Sequence, residues 1–112
     1  MDIRPLTPHY AVAPQIEPSD LSRLRAEGYS CVICNRPDDE QPGQPSAGSV
    51  GSAAEAAGLS FRYIPVVSGQ ITGANVEDMA GALEEMPAPV FAYCRSGARC
   101  TNLYALIQQS KG

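Results

Sequence analysis

The decisive stretch of this sequence is Tyr93-Cys94-Arg95-Ser96-Gly97-Ala98-Arg99-Cys100. It follows an apolar run over residues 89–92 and precedes a helix-like stretch over residues 101–109. A strand that ends in a Gly-containing turn and reverses into a helix directs backbone N–H groups, and the positive end of the helix, into the turn. The stretch therefore predicts an anion-binding turn that carries Cys94.

Cys94 is the predicted nucleophile of this turn. A free cysteine has a pKa of roughly 8.5, and a helix N-terminus with nearby arginine lowers it, so we expect substantial thiolate near neutral pH. Arg99 is predicted to bind the anionic substrate with its guanidinium fork. The remaining residues of the predicted anion-binding loop are Arg95, Ser96, Gly97 and Ala98. The plainer alternative is a structural cysteine flanked by solvated arginines.

Strand and helix signals alternate along the chain. Extended segments are predicted over residues 3–6, 10–13, 29–34, 61–67 and 89–93, and helices over 18–27, 46–57, a segment capped by Asn75, and 101–109. This alternation predicts a three-layer α/β/α domain with a central, mostly parallel sheet of four to five strands. Ligands bind at the carboxyl ends of strands in such sheets, which is where Cys94 falls. A length of 112 residues predicts a single domain over 1–112.

The composition and net charge restrict the classes of partner that we expect for this chain. Apolar residues make up 44% and charged residues 18%, as in ordinary globular proteins. The net charge of -4, with scattered Lys and Arg, argues against a nucleic-acid partner. No apolar run approaches the roughly 18 residues that span a bilayer, and no signal peptide is recognisable, so we expect no membrane partner and a cytoplasmic location. No cofactor and no particular oligomeric state is predicted.

The other cysteines invite alternatives. Cys31 and Cys34 have the CxxC spacing of metal and redox sites, but residues three apart on a strand point to opposite faces, so we expect ordinary core cysteines. No metal site is predicted, because the only histidine is His9, which we expect in an exposed loop. Cys100 is either a resolving thiol for Cys94 or a core residue of the last helix.

The order of these segments resembles the bacterial phosphatase-like domains associated with beta-lactamase-like hydrolases, which are distant relatives of dual-specificity protein phosphatases. The more specific parts of the resemblance are Asn35-Arg36-Pro37-Asp38 and Ile64-Pro65-Val66. It implies a cysteine-phosphatase-like α/β fold, and members of the group are described both as phosphatases and as sulfurtransferases. Within the first motif we expect Arg36 to be a salt-bridged structural residue rather than a substrate ligand.

The chain departs from the dual-specificity phosphatase pattern in its loop. Those enzymes place five residues between cysteine and arginine, whereas four residues separate Cys94 from Arg99. They also usually have histidine before the nucleophile, where this chain has Tyr93. We expect Tyr93 to pack beneath the loop.

A second departure concerns the general acid. Dual-specificity phosphatases supply an aspartate from the loop after the Ile-Pro-Val strand, where this chain has Ser68 or Gly69. Loss of one general acid costs on the order of 10² to 10⁴ in rate for an alkoxide leaving group. Asp38 and Glu40 are the candidates to replace it.

The segment Cys-Arg-Ser-Gly-Ala-Arg is similar to the active loop of rhodanese-like sulfurtransferases. That resemblance implies a persulfide on Cys94, loaded from thiosulfate or a persulfide and discharged to a thiol acceptor, with no need for a general acid. The sequence therefore favours a sulfurtransferase acting on a small anionic substrate. The alternative is a phosphatase that hydrolyses a phosphate ester through a phosphocysteine, and the second alternative is a non-catalytic anion-binding or partner module.

Overall fold

The computed structural model describes residues 1–111 as a five-stranded sheet with helices on both faces. In chain order the elements are β1 (Arg4–Thr7), β2 (Tyr10–Ala13), a 3-10 turn (Pro18–Asp20) leading into α1 (Leu21–Ala26), β3 (Cys31–Cys34), α2 (Ala47–Ala56), β4 (Ser60–Tyr63), α3 (Gly73–Glu85), β5 (Val90–Tyr93) and α4 (Ala98–Lys111).

The strand order is β1-β2-β5-β3-β4, and every neighbouring pair is parallel except β1 and β2. This confirms the predicted mostly parallel sheet. Tyr93, the last residue of the central strand β5, lies level with Ala13 on one side and Cys34 on the other. The segments that follow β2, β5 and β3 therefore leave the sheet at the same level, at the carboxyl ends of these strands. Cys94, which follows β5, lies between the segments that follow β2 and β3.

Two apolar clusters, one on each face of the sheet, account for the three layers. Met79, Leu103 and Ile107 of α3 and α4 cover one face. The other face is covered by α1 and α2 through Leu24, Val50 and Ala54. All six side chains are fully or almost fully buried, and removing such apolar surface from water is the main force that holds the layers together.

The CxxC pair follows the alternation of the strand. Cys31 belongs to the cluster under α3 and α4, whereas Cys34 belongs to the cluster under α1 and α2. The expectation that the two sulfurs point to opposite faces is therefore confirmed. Burial raises the pKa of Cys31 to about 11, which leaves that thiol protonated near neutral pH.

Three predicted boundaries differ from the structure by three residues or more. The strand expected over residues 61–67 ends at Tyr63, level with the end of β3 at Cys34, although Ile64 N still donates to Cys34 O (2.9 Å) and Val66 N to Asn35 O (3.0 Å). The N-cap of α3 is Thr72 rather than Asn75. The two residues form a capping box, in which Thr72 Oγ1 accepts from Asn75 N (3.1 Å) and Asn75 Oδ1 accepts from Thr72 N (2.9 Å). The last helix begins at Ala98, three residues earlier than predicted, so its first turn lies against Cys94.

Candidate active site

Cys94 directly follows the central strand β5, at the carboxyl end of the parallel strands. Its backbone N–H donates to Ala13 O across to β2 (3.3 Å), which fixes the start of the loop. The loop then turns through residues 95–97 into α4. Cys94 has no exposed surface (0%), so its sulfur is shielded from solvent in this arrangement.

The loop turns its carbonyl groups outwards. The carbonyl oxygens of residues 95, 96 and 97 accept from Gln15 N (3.3 Å), from Arg4 Nη2, and from both Thr101 N (3.1 Å) and Thr101 Oγ1 (2.9 Å), respectively. Since the two sides of a peptide unit point in opposite directions, outward carbonyls leave the N–H groups facing inwards. Contacts with the surrounding segments and with α4 thus fix the shape of the loop.

Gly97 makes this turn possible. Its φ is +91°, a left-handed conformation that glycine adopts without strain. A Cβ at this position would collide with the Arg4 guanidinium and come within 3.4 Å of the Ala13 carbonyl carbon. The loop therefore needs glycine both for its backbone angle and for its close approach to β1 and β2.

The sulfur of Cys94 accepts hydrogen bonds from several directions. Gly97 N lies 3.1 Å from it. The pKa of Cys94 falls to about 5, first because the Cys100 thiol donates to it and then because the backbone N–H groups of Cys100, Arg99 and Gly97 do so, against the opposing effect of burial. Burial and this donation together raise the pKa of Cys100. The structure thus brings the two thiols together as an ionised acceptor and a protonated donor.

The N–H groups around the sulfur come from the loop and from the first turn of α4. Of the predicted loop residues, Gly97 donates its N–H to the Cys94 sulfur (3.1 Å), whereas Ala98 N donates to Ser96 Oγ (3.3 Å). Because α4 begins at Ala98, its first turn also directs the N–H groups of Arg99 and Cys100 at Cys94. Arg95 extends from the exposed rim of the loop.

Arg99 is buried beside the loop, with 7% of its surface exposed. Its Nη1 donates to Glu40 Oε2 (2.7 Å) and to Val66 O (2.9 Å), and its Nη2 donates to Glu40 Oε1 (2.8 Å). The sequence singled out Arg99 but missed this partner. Glu40 lies in the loop after β3, and only the adjacency of β3 and β5 brings it to Arg99.

Arg36 holds Glu40 in place. It is 2% exposed, and its Nε donates to Glu40 Oε1 (2.9 Å). Its two terminal nitrogens donate to Gln15 Oε1 (3.0 Å) and Gln41 Oε1 (3.1 Å). Arg36 is therefore salt-bridged and structural in its contacts, as the sequence predicted.

Both candidates for a general acid have hydrogen-bond partners in this arrangement. The pKa of Glu40 is lowered, chiefly by its hydrogen bonds with Arg99, so its carboxylate stays ionised. Asp38 Oδ1 accepts from Ala47 N (2.8 Å) and so helps to fix the start of α2. Ser68 and Gly69 lie in an exposed turn. Both carboxyl groups therefore accept hydrogen bonds from other residues.

The remaining predicted residues lie outside this constellation. Tyr93 is buried on the face covered by α1 and α2, and burial raises its pKa. His9 is exposed in the turn between β1 and β2. Among residues 1–111, no group of three or more His, Cys, Asp or Glu side chains is arranged to hold a metal ion. In the same part of the chain no helix has the length and apolar character needed to cross a membrane.

A five-stranded, mostly parallel sheet with a low-pKa cysteine at the end of its central strand, directly before a helix, has the arrangement of a phosphatase-like α/β fold. Solved structures agree with that class. A Neisseria meningitidis protein provisionally named a phosphatase matches with a TM-score of 0.91 and 33% identity, over 100% of this chain and 80% of that one. Tk-PTP shares the fold at a TM-score of 0.61 and 15% identity, over 85% of this chain and 63% of that one.

The family follows from the sequence comparison. The model of the phosphatase-like domain of beta-lactamase hydrolase-like proteins matches residues 2–111, and the chain belongs to this family. The beta-lactamase hydrolase-like protein of Agrobacterium fabrum is 40% identical over 101 residues, which cover 90% of this chain and 23% of that protein. The chain thus spans about a quarter of the length of the curated relatives it matches.

Proposed function

We propose that this domain hydrolyses phosphate monoesters through a phosphocysteine formed on Cys94. The observation that carries the proposal is the Cys94 sulfur itself, whose pKa is lowered to about 5 by hydrogen bonds from the loop and from α4. Membership of a phosphatase-like family supports phosphate as the anion. Sulfur transfer, which the loop spacing favoured, receives no support from these relatives.

The first step is nucleophilic attack. The Cys94 thiolate attacks the phosphorus atom, a sulfur–phosphorus bond forms, and the bond from phosphorus to the ester oxygen breaks. The inward N–H groups of the loop and the N-terminal end of α4 stabilise the negative charge on the phosphoryl oxygens. The leaving group departs as an anion or takes its proton from water, because the carboxylates of Asp38 and Glu40 have other partners.

The second step regenerates the enzyme. Water attacks the phosphocysteine, an oxygen–phosphorus bond forms and the sulfur–phosphorus bond breaks, which releases inorganic phosphate and the thiolate. A thiolate with a low pKa is a good leaving group, so the same hydrogen bonds that activate Cys94 for attack also assist its departure.

The test is aryl-phosphate turnover by the wild-type domain, by Cys94→Ser and by a control, Cys31→Ala. The control changes a buried cysteine at the start of β3, level with the start of β5 and so far along the strand from Cys94. We expect phosphate release by the wild type and the control, none by Cys94→Ser, and a phosphorylated protein when the wild type is quenched in acid. Full activity in Cys94→Ser, or no release by the folded wild type, would reject the proposal.

Sulfur transfer is tested on the same preparations. The compact spacing of four residues between Cys94 and Arg99 is the feature that favours it. Incubation with thiosulfate or glutathione persulfide, followed by intact-protein mass spectrometry, should leave the mass unchanged if phosphate is the substrate. A one-sulfur adduct that depends on Cys94 and is discharged by a thiol, without any phosphate release, would establish sulfur transfer instead.

A further inference from the structure

The guanidinium of Arg99 has one edge occupied and one edge available. A guanidinium carries five N–H donors. Three of them are used, two on Nη1 for Glu40 and Val66 and one on Nη2 for Glu40. The other two, on Nε and Nη2, have no partner within residues 1–111. These two hydrogens lie side by side on one edge of the planar group.

An edge of this kind fits a tetrahedral oxyanion. Two parallel N–H groups bind two oxygens of a phosphate or sulfate at once, which gives both affinity and a fixed orientation. Glu40 occupies the opposite edge, formed by Nη1 and Nη2. The carboxylate therefore fixes the plane of the guanidinium without covering the edge that an anion would use.

Glu40 is itself held in place by a second arginine, Arg36. Its Oε1 accepts from Arg36 Nε (2.9 Å) as well as from Arg99 Nη2 (2.8 Å), and only 23% of its side chain is exposed. Arg36 is anchored in turn by Gln15 and Gln41. Two guanidinium groups share one carboxylate, so the cluster keeps a positive charge beside the loop although it contains an acid.

We propose that Glu40 is a positioning residue that acts through Arg99, turning the Nε and Nη2 edge of Arg99 to the oxyanion bound at the Cys94 loop. The inference deepens the proposed function, because that oxyanion is the phosphoryl group of the substrate. It also assigns a role to the loop after β3, which would otherwise be a connection to α2. The competing interpretation is that Glu40 neutralises Arg99 and weakens anion binding.

The experiment measures anion binding without turnover. Tungstate, a tetrahedral oxyanion, is titrated calorimetrically into the wild-type domain, Glu40→Gln and Glu85→Gln. Glutamine keeps the size of Glu40 but presents an NH2 group to one nitrogen of Arg99, so the paired hydrogen bond is lost. Glu85→Gln is the matched control, since it removes one carboxylate from an exposed ion pair with Arg62.

We expect Glu40→Gln to weaken tungstate binding by about tenfold to a hundredfold, which corresponds to one or two charge-assisted hydrogen bonds. Glu85→Gln should bind like the wild type. Glu40→Asp, which keeps the charge on a side chain one carbon shorter, should fall between them and guards against misfolding of the glutamine variant. Unchanged or tighter binding by both Glu40 variants would overturn the proposal, as would a wild type that binds no tungstate.

A double-mutant cycle separates positioning from a general structural effect. In an Arg99→Lys background the fork is already lost, so Glu40→Gln should have little further effect on tungstate binding. Additive losses would show that Glu40 does not act through Arg99 and would overturn the proposal. A wild type that binds tungstate but hydrolyses no aryl phosphate would reject the proposed function and leave the role of Glu40 standing.

Discussion

Cys100, on the first turn of α4, and Cys94, at the end of β5, are both buried at one site, and hydrogen bonding from the Cys100 thiol is the largest cause of the low pKa of Cys94. Both cysteines are fully buried, so the charge is not solvated by water. The protein replaces that solvation with a thiol and three backbone N–H groups. The reactivity of Cys94 therefore depends on how α4 is seated against β5.

The pH dependence of turnover should report this thiolate. The pKa of Cys94 is about 5, so lowering the pH through that value protonates the nucleophile and reduces kcat/KM, about tenfold for each further pH unit. Above it kcat/KM should be flat towards neutral pH. The measurement is kcat/KM for an aryl phosphate across this range, and an acid limb centred near the ordinary cysteine pKa would contradict the structure.

Folding stability should depend on the same group. Because the folded pKa of Cys94, about 5, lies well below that of a free cysteine, the folded state binds fewer protons than the unfolded state between these two pKa values. The free energy of unfolding should therefore rise with pH across this window and fall as pH drops towards 5. Denaturant unfolding of the wild type and Cys94→Ser should show a smaller rise in the variant.

Removing the Cys100 donor should raise the pKa of Cys94. We expect Cys100→Ala to move the acid limb of kcat/KM to higher pH, because the thiolate loses its strongest hydrogen bond. Cys100→Ser keeps a donor at the same place and should move the limb less. Equal shifts in the two variants would mean that packing, rather than the hydrogen bond, sets the pKa.

Oxidation should join the two thiols if Cys100 is a resolving cysteine. Hydrogen peroxide converts the Cys94 thiolate to a sulfenic acid and releases hydroxide; attack by the Cys100 sulfur then forms a disulfide and releases water. Intact-protein mass spectrometry should show the loss of two hydrogens, reversed by a dithiol. In Cys100→Ser the oxidised product should instead gain oxygen, and an identical product in both proteins would exclude this role.

Gly97→Ala should abolish turnover. The added Cβ would force the Arg4 guanidinium away from Ser96 O, and an alanine held at φ +91° would be strained, so the loop would lose both a contact and its relaxed backbone. Gly28→Ala is the control, since Gly28 has a similar φ of +100° but nothing within 4 Å of a Cβ. Both should lose about 1–3 kcal/mol in unfolding free energy, whereas only Gly97→Ala should lose activity. Retained activity would mean that the turn tolerates a side chain.

The rate of the first step should depend strongly on the acidity of the leaving group. With Glu40 held ionised by Arg99 and Asp38 bonded to Ala47 N, the departing oxygen receives no proton from either carboxyl group. Across a series of substituted phenyl phosphates, kcat for the first step should fall as the phenol becomes less acidic, and alkyl phosphates should react about 10² to 10⁴ times more slowly. Rates independent of the phenol would reveal a proton donor.

The choice between phosphate and sulfur shows where a local pattern was insufficient. The spacing of four residues between Cys94 and Arg99 and the missing aspartate after the Ile-Pro-Val strand both favoured sulfur transfer. The whole-chain comparisons favour the phosphatase alternative. A loop of a few residues records backbone shape, which many oxyanions fit, whereas the identity of the anion depends on groups contributed by the rest of the domain.

The sequence by itself determined the alternation of strands and helices, the placement of Cys94 at a strand end before a helix, and the opposite directions of Cys31 and Cys34. These features follow from the repeats of strand and helix and from glycine at the turn, all of which are local. Only the tertiary structure decided that Glu40 binds Arg99 from 59 positions away and that Arg4 and Gln15 hold the loop carbonyls. Those contacts depend on the strand order β2-β5-β3, which brings the carboxyl ends of the three strands next to one another. Strand order is fixed by the packing of the whole chain rather than by any one segment.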